Sequence, residues 1–183
     1  MYEVLDYKKD PRSYVHAKVM EGLIEGRLAL EMLRRGFLTN AASKAFISVK
    51  AIVSALVVKN LDRIIKDKPE KERGWYEKVG YSAPTTGLIG ISYDLERLGY
   101  NVGLIVRIAL TLHAFSYNGF DPNLVNYRNE EEVEKDIMSV IQFLTNNVKK
   151  YFEDVWNEEL EKELKALTTA QQTQLSTINQ HLT

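Results

Sequence analysis

The stretch Thr39–Lys59, TNAASKAFISVKAIVSALVVK, determines the fold class of this chain. Its apolar residues recur at the spacing of one helix and never alternate as in a strand: Ala42, Ala45, Phe46, Val49, Ile52, Val53, Leu56 and Val57. Lys44, Lys50 and Lys59 are its only charged residues. A helix with so few charges is typical of a protein interior. We therefore predict that this segment is the most buried helix of an all-α protein.

A second helix precedes this segment. Asp10-Pro11 is a favourable helix start, because Asp accepts a hydrogen bond from a backbone N–H of the first turn and Pro lacks an N–H where none is needed. The apolar residues that follow form a seam at 4-3-4-3-4 spacing: Val19, Leu23, Gly26, Leu30, Leu33 and Phe37. Gly22 and Gly26 on this side would let a neighbouring backbone approach closely.

Three further helices are predicted after the buried segment. Residues 66–86 are polar and hold two Pro and two Gly, which indicates a long connection with a short helix near 69–79. Helices then begin near Thr86, Asn101 and Asn129, and the apolar pattern of the last persists to Leu167 as one long helix or two. The sequence thus predicts an up-and-down bundle of about five helices with a long helical C-terminal region.

Composition indicates one domain followed by a tail. The chain has 183 residues, and its last 16, residues 168–183, carry no charge and four of its five Gln. The absence of Cys and the scarcity of Gln before this point are typical of heat-adapted proteins. We predict a single helical domain over residues 1–167 and a neutral tail over 168–183 that can be removed without loss of folding.

Charge and composition exclude several function classes. The net charge of −1 provides no overall reason to expect nucleic acid or an anionic membrane, although residues 1–66 hold 12 basic against 7 acidic residues. That local surplus indicates either a helix facing acidic neighbours or a basic face contacting phosphates. No Cys, no pair of His at metal-ligand spacing and no phosphate-binding glycine loop is present, so we expect no metal and no cofactor.

The protein is expected in the cytoplasm. The N-terminal residues MYEVLDYKKDPR lack the apolar core of a signal peptide. Uncharged stretches such as Ile108–Phe120 fall short of the roughly 20 apolar residues that a membrane helix needs. We therefore predict no membrane partner.

One pair of residues could carry chemistry. Arg107 and His113 lie six positions apart on one predicted helix, and an imidazole with a guanidinium can cleave RNA without metal. On an ideal helix, however, six residues leave the two side chains roughly 120° and about 9 Å apart. His113 also shares the face of Val102 and Val106, which favours a hydrogen-bonded core histidine.

Two segments resemble the archaeal PaREP family. The first is Asn40–Phe46 with its continuation to Leu56, and the second is Leu112–Pro122, LHAFSYNGFDP. This resemblance implies placement near the HEPN superfamily of small, frequently dimeric helical bundles, which includes ribonucleases and nucleotide-binding proteins. Arg107 and His113 match the ends of the ribonuclease motif of that superfamily, whereas Ile108 stands where a polar residue is usual.

The family-like segments also provide the candidate ligand-binding residues, which are Lys44, Lys50, Tyr117 and Asn118. We predict a non-catalytic, HEPN-like module that self-associates and binds a nucleotide, RNA or protein partner. One alternative is a metal-independent endoribonuclease that uses Arg107 and His113 across a dimer. The other is a purely structural interaction protein.

A homodimer is expected because the apolar pattern is long. Residues 144–167 extend well beyond a typical helix of about 11–12 residues, and one small bundle would leave part of their apolar surface exposed. Twofold pairing would cover it. The alternative is that the extra length folds back as a separate last helix of a monomer.

Overall fold

The structure, a computed structural model, describes residues 6–181, with side chains up to residue 176. In this range it contains eight α-helices and no strand, so the all-α prediction is confirmed while the expected number of about five helices is too low. The helices are α1 Pro11–Arg34, α2 Leu38–Lys59, α3 Leu61–Ile65, α4 Glu70–Lys78, α5 Leu88–Arg97, α6 Gly103–Asn118, α7 Glu130–Tyr151 and α8 Glu158–His181.

The additional helices have local causes. The polar connection contains α4, at the position predicted for a short helix, and α3 lies between α2 and that connection. The C-terminal region is two helices, because a 3-10 turn over Glu153–Val155 interrupts it. Asn157 then starts α8, and its side-chain oxygen accepts a hydrogen bond of 3.0 Å from the backbone N–H of Leu160.

The long helices alternate in direction. The Arg12 side chain at the start of α1 reaches the Asp154 carbonyl beyond the end of α7, while Gly26 lies beside Leu144 in the middle of α7. Helix α6 likewise begins near the end of α7, since the backbone N–H of Asn101 donates to the Tyr151 hydroxyl. The helix pairs α1–α7 and α6–α7 are therefore antiparallel.

Helix α2 is the centre of the molecule. It packs against α1, α5, α6 and α7, and fourteen of its 22 residues are buried. Of the helices in residues 6–181, α2 alone has the length and hydropathy to cross a membrane, and 78% of its most apolar window is buried within the protein. Burial among neighbouring helices accounts for this apolar composition.

One close helix contact joins α1 and α2 at Gly22. The Ser48 hydroxyl on α2 donates a hydrogen bond of 2.7 Å to the Gly22 carbonyl. A Cβ on Gly22 would lie 2.6 Å from Ile52 Cδ1, closer than carbon atoms pack. The predicted close approach at Gly22 is therefore present.

The apolar surface that motivated the homodimer prediction is covered within one chain. Val148, Tyr151, Val155 and Leu160 are all buried. The reason is that α8 folds back along α1 and α7, where an ion pair between Arg27 and Glu163 joins α1 to α8. The exposed apolar surface that the sequence predicts for a single chain therefore does not exist at these positions.

The compositional boundary at residue 168 falls inside α8. The helix continues through the uncharged segment to His181. Ala170 packs against the core, and the Gln174 side chain is only 7% exposed. The first part of the segment is therefore a helix packed against the core, because α8 continues along α1. Residues 182 and 183 lie outside the described range.

Candidate functional site

His113 lies on α6 at the edge of the contact with α2. Its imidazole stacks on the Phe46 ring, with 4.0 Å between ring centroids and 21° between planes. The ring of Tyr117, one turn further along α6, contacts the imidazole edge-to-face, with 5.0 Å between the ring centroids. The imidazole is half-buried, and no hydrogen bond to it occurs among the residues whose side chains are described. The expected hydrogen-bonded core histidine is thus replaced by an aromatic stack, because His113 sits beside the core rather than inside it.

The charge of Lys50 on α2 acts on the imidazole of this stack. Burial lowers the pKa of His113 below its ordinary value of 6.5, and the positive charge of Lys50 lowers it further. His113 is therefore predominantly neutral at pH 7. Lys50 is half-buried, and it forms no ion pair with a carboxylate among residues 6–176.

We refer to Phe46, Lys50, His113 and Tyr117 as the α2–α6 patch. A depression of about 300 Å³ borders it and is lined by Phe46, Lys50 and Ser54 of α2, by Ser82 and by the ion pair of Lys18 and Glu21 on α1. The Tyr117 side chain is 79% exposed, so one face of its ring is open to solvent. The patch therefore combines an unpaired cation, a neutral imidazole and an accessible aromatic ring.

Arg107 is held away from this patch. One guanidinium nitrogen donates to the Gly103 carbonyl and the other to the Tyr93 hydroxyl, both at 2.8 Å. The guanidinium also lies over the Tyr93 ring, 5.3 Å from its centroid. Because Tyr93 belongs to α5 whereas His113 contacts α2, the two predicted catalytic residues have different neighbours within one chain.

Two predicted ligand-binding residues have structural partners instead. Lys44 forms an ion pair with Glu25 at 2.9 Å, which joins α2 to α1. The Asn118 amide donates 2.7 Å to the Ala114 carbonyl of its own helix. Of the six predicted site residues, the structure brings together Lys50, His113 and Tyr117. Phe46 was not predicted to belong to a site, because its position in the sequence is that of an ordinary core residue.

No group of three His, Asp or Glu side chains in the described part of the chain could hold a metal ion. The chemistry open to the α2–α6 patch is accordingly that of its own side chains. A lysine ammonium can bind a phosphate, and a tyrosine ring can stack on a flat apolar group. The neutral imidazole can accept or donate one hydrogen bond.

Comparison with known proteins identifies one relationship. The profile of the Archaeal PaREP1/PaREP8 family matches residues 17–138, about two thirds of the chain, and the match includes both segments that carried the resemblance. It covers every residue of the α2–α6 patch. Searches of curated proteins and of solved structures yielded no match.

Proposed function

This chain belongs to the archaeal PaREP1/PaREP8 family, and on this premise we propose that it is a non-catalytic, HEPN-like helical module that self-associates and binds single-stranded RNA. The observation that carries the proposal is the α2–α6 patch. There, a half-buried Lys50, which forms no ion pair with a carboxylate of the described residues, stands beside an aromatic stack that ends in the exposed ring of Tyr117.

The patch supplies the two contacts that sequence-tolerant RNA binding requires. The charge of Lys50 is compensated by no carboxylate in the described residues, so a phosphate is a favourable partner. The open face of Tyr117 can stack on a base, an interaction worth about 1–3 kcal/mol per base. A base is free to stack in this way only where the strand is unpaired, which favours single-stranded over double-stranded RNA.

The position of Arg107 supports binding rather than cleavage. Cleavage of RNA by an imidazole and a guanidinium needs both groups around one phosphate. Here Tyr93 and Gly103 occupy the Arg107 guanidinium, and Ile108 follows it where a polar residue is usual in the ribonuclease motif. The lowered pKa of His113 also makes the imidazolium, the form that acts as a general acid, the minor form at neutral pH.

Self-association is proposed through the outward side of α6. Leu104 is 73% exposed there. Beside it runs a groove of about 270 Å³ between α6 and α7, lined by Ile108 and Phe143 and by uncharged amide side chains. In a twofold pair each Leu104 can enter the groove of the other copy, which buries both without desolvating a charge in the groove.

The RNA proposal is tested by fluorescence anisotropy with a labelled single-stranded oligonucleotide at low salt. We expect Lys50→Gln to weaken binding about tenfold, because a charge-assisted contact contributes about 1.5–3 kcal/mol. The matched control is Lys71→Gln on α4, which removes the same charge from an exposed lysine away from the patch and should leave the affinity unchanged.

The stacking contribution is tested in the same assay. Tyr117→Ala should weaken binding about fivefold to tenfold or more, whereas Tyr117→Phe keeps the ring and should bind as the parent does. The proposal is contradicted if the parent does not bind the oligonucleotide. It is equally contradicted if Lys50→Gln and Lys71→Gln lose affinity to the same extent.

A further inference from the structure

A larger cavity lies at one end of the bundle, where α1 begins and α2 ends. Its volume is about 640 Å³, within the range of small-molecule sites in proteins. The apolar residues of its lining are Tyr7, Pro11, Val15, Val58, Leu61 and Val155, of which Pro11 is exposed, Leu61 is half-buried and the others are at least 90% buried. Along α2 its lining residue Asn60 lies ten positions from Lys50, about 15 Å on a helix, so the cavity is distinct from the α2–α6 patch.

Two arginines at the rim of this cavity lack acidic partners in the described part of the chain. Arg12 donates a hydrogen bond of 3.3 Å to the Asp154 carbonyl, and Arg63 donates one of 3.2 Å to the Asn60 side-chain oxygen. Both partners are neutral groups, and both guanidinium side chains are exposed. Each arginine therefore keeps free N–H donors and forms no ion pair with a described carboxylate, while Asp10 lies close enough to Arg12 for the two charges to interact.

The remaining charges of the cavity leave it positive. Lys59 and Asp154 form an ion pair with each other, and the Lys59 ammonium also donates 2.7 Å to the Tyr151 carbonyl at the end of α7. Asp62 is exposed beside Arg63 and is the one carboxylate of the lining outside that pair. Three cations thus face two anions, and Asp62 can accept a hydrogen bond from a ligand hydroxyl.

We infer that this cavity binds a phosphorylated small molecule, a phosphate monoester with a flat, largely apolar body. The fork of donors on Arg12 and on Arg63 matches the oxygens of a phosphate. Pro11 and Leu61 keep accessible apolar surface in the cavity, and an apolar body that covers this surface is removed from water. Neither half of the cavity is sufficient alone, because the cations are solvated at the rim and the apolar part is small. The ligand is therefore one that combines both properties.

Isothermal titration calorimetry on the full chain tests this inference with three probes. The probes are 1-naphthyl phosphate, which has both parts, glucose 6-phosphate, which has a polar body, and inorganic phosphate, which has none. We expect 1-naphthyl phosphate to bind at least tenfold more tightly than either of the other two. Equal binding of all three would overturn the inference, since it would show that the cavity binds the phosphate group alone and does not recognise the apolar body. Absence of binding by 1-naphthyl phosphate would overturn it as well.

Variants locate the binding. Arg12→Gln and Arg63→Gln should each weaken 1-naphthyl phosphate at least tenfold, because each removes a charge-assisted contact worth about 1.5–3 kcal/mol. Arg34→Gln, at the opposite end of α1, removes the same charge from an exposed side chain and should bind as the parent does. Unchanged binding in both cavity variants would contradict the assignment. Circular dichroism on each variant verifies that the fold is intact, and Lys50→Gln should leave this binding unaltered.

Discussion

The imidazole of His113 and the ring of Phe46 lie almost parallel with their centroids 4.0 Å apart, so that a residue of α6 is held by stacking on a residue of α2. Stacking positions the imidazole without a hydrogen bond to either of its nitrogens. The imidazole thus remains available for a hydrogen bond while its environment favours the neutral form. This relationship connects the packing of the bundle to the protonation of the patch.

The first prediction concerns the titration of His113. Its pKa should lie below 6.5 in an NMR titration and should rise in Lys50→Met, because the variant removes one of the two causes of the depression. Since the folded pKa is lower than the unfolded one, folding is favoured by the neutral form, and this contribution to stability is lost as the pH falls below about 6.5.

The control for this titration is Lys71→Met, which removes an exposed charge from α4 and should leave the midpoint of His113 in place. A midpoint at or above 6.5 in the parent would contradict the prediction. So would a midpoint that does not move when Lys50 is replaced.

The second prediction concerns the close contact between α1 and α2 at Gly22. Gly22→Ala should destabilise the protein, because the new Cβ would meet Ile52 at 2.6–2.8 Å and the Ser48 carbonyl at 3.3 Å. Overpacking costs about 1–3 kcal/mol, which exceeds or matches the roughly 1 kcal/mol that alanine contributes to a helix. Thermal unfolding of the variant should show a lower Tm.

Gly74→Ala in α4 is the matched control for this substitution. Nothing lies within 4 Å of a Cβ at that position, so the helix preference of alanine should raise the stability by about 0.5–1 kcal/mol. Equal shifts of Tm in the two variants would show that the approach at Gly22 does not matter.

The third prediction is that the protein does not cleave RNA in the absence of metal. Arg107 is engaged by Tyr93 and Gly103, and His113 is neutral and stacked. Incubation of RNA with the parent, Arg107→Ala and His113→Ala should therefore leave the RNA intact on a denaturing gel in all three cases. Metal-independent cleavage by the parent that both substitutions abolish would establish the ribonuclease alternative instead.

The fourth prediction concerns self-association. Light scattering should return about twice the chain mass of 21.0 kDa for the parent and the mass of one chain for Leu104→Glu, because the glutamate would place a charge in the groove of the partner copy. Leu124→Glu alters another exposed leucine, in the loop before α7, and should remain dimeric. A parent that scatters as a single chain throughout the micromolar range would refute the proposal.

The fifth prediction concerns the uncharged segment. Although its composition predicts that it is dispensable, the structure favours the opposite, because α8 continues through it and buries Gln174. A chain that ends at Leu167 loses this packing and should have a Tm lower by more than about 5 °C. An unchanged Tm on differential scanning calorimetry would restore the interpretation based on composition.

The sequence alone was sufficient for the elements whose signals are local. The apolar period of α2, the Asp10-Pro11 start of α1 and the glycine at position 22 each depend on neighbours within a few residues or on helical spacing, and all three predictions agree with the structure. The two segments that resemble the PaREP family are likewise recognised from consecutive residues, and membership of the family is confirmed. The break between α7 and α8 was left open, since the apolar pattern continues across it.

Only the tertiary structure decided which chemical groups are free. Lys44 and Lys50 are six positions apart on α2 and look alike in the sequence, but Glu25 of α1 neutralises the first whereas the second has no carboxylate partner in the described residues. Arg107 and His113 likewise share α6 but contact different helices. The physical reason is that charge compensation and stacking depend on side chains that approach from other helices. Their direction is set by how the bundle packs, which no local pattern specifies.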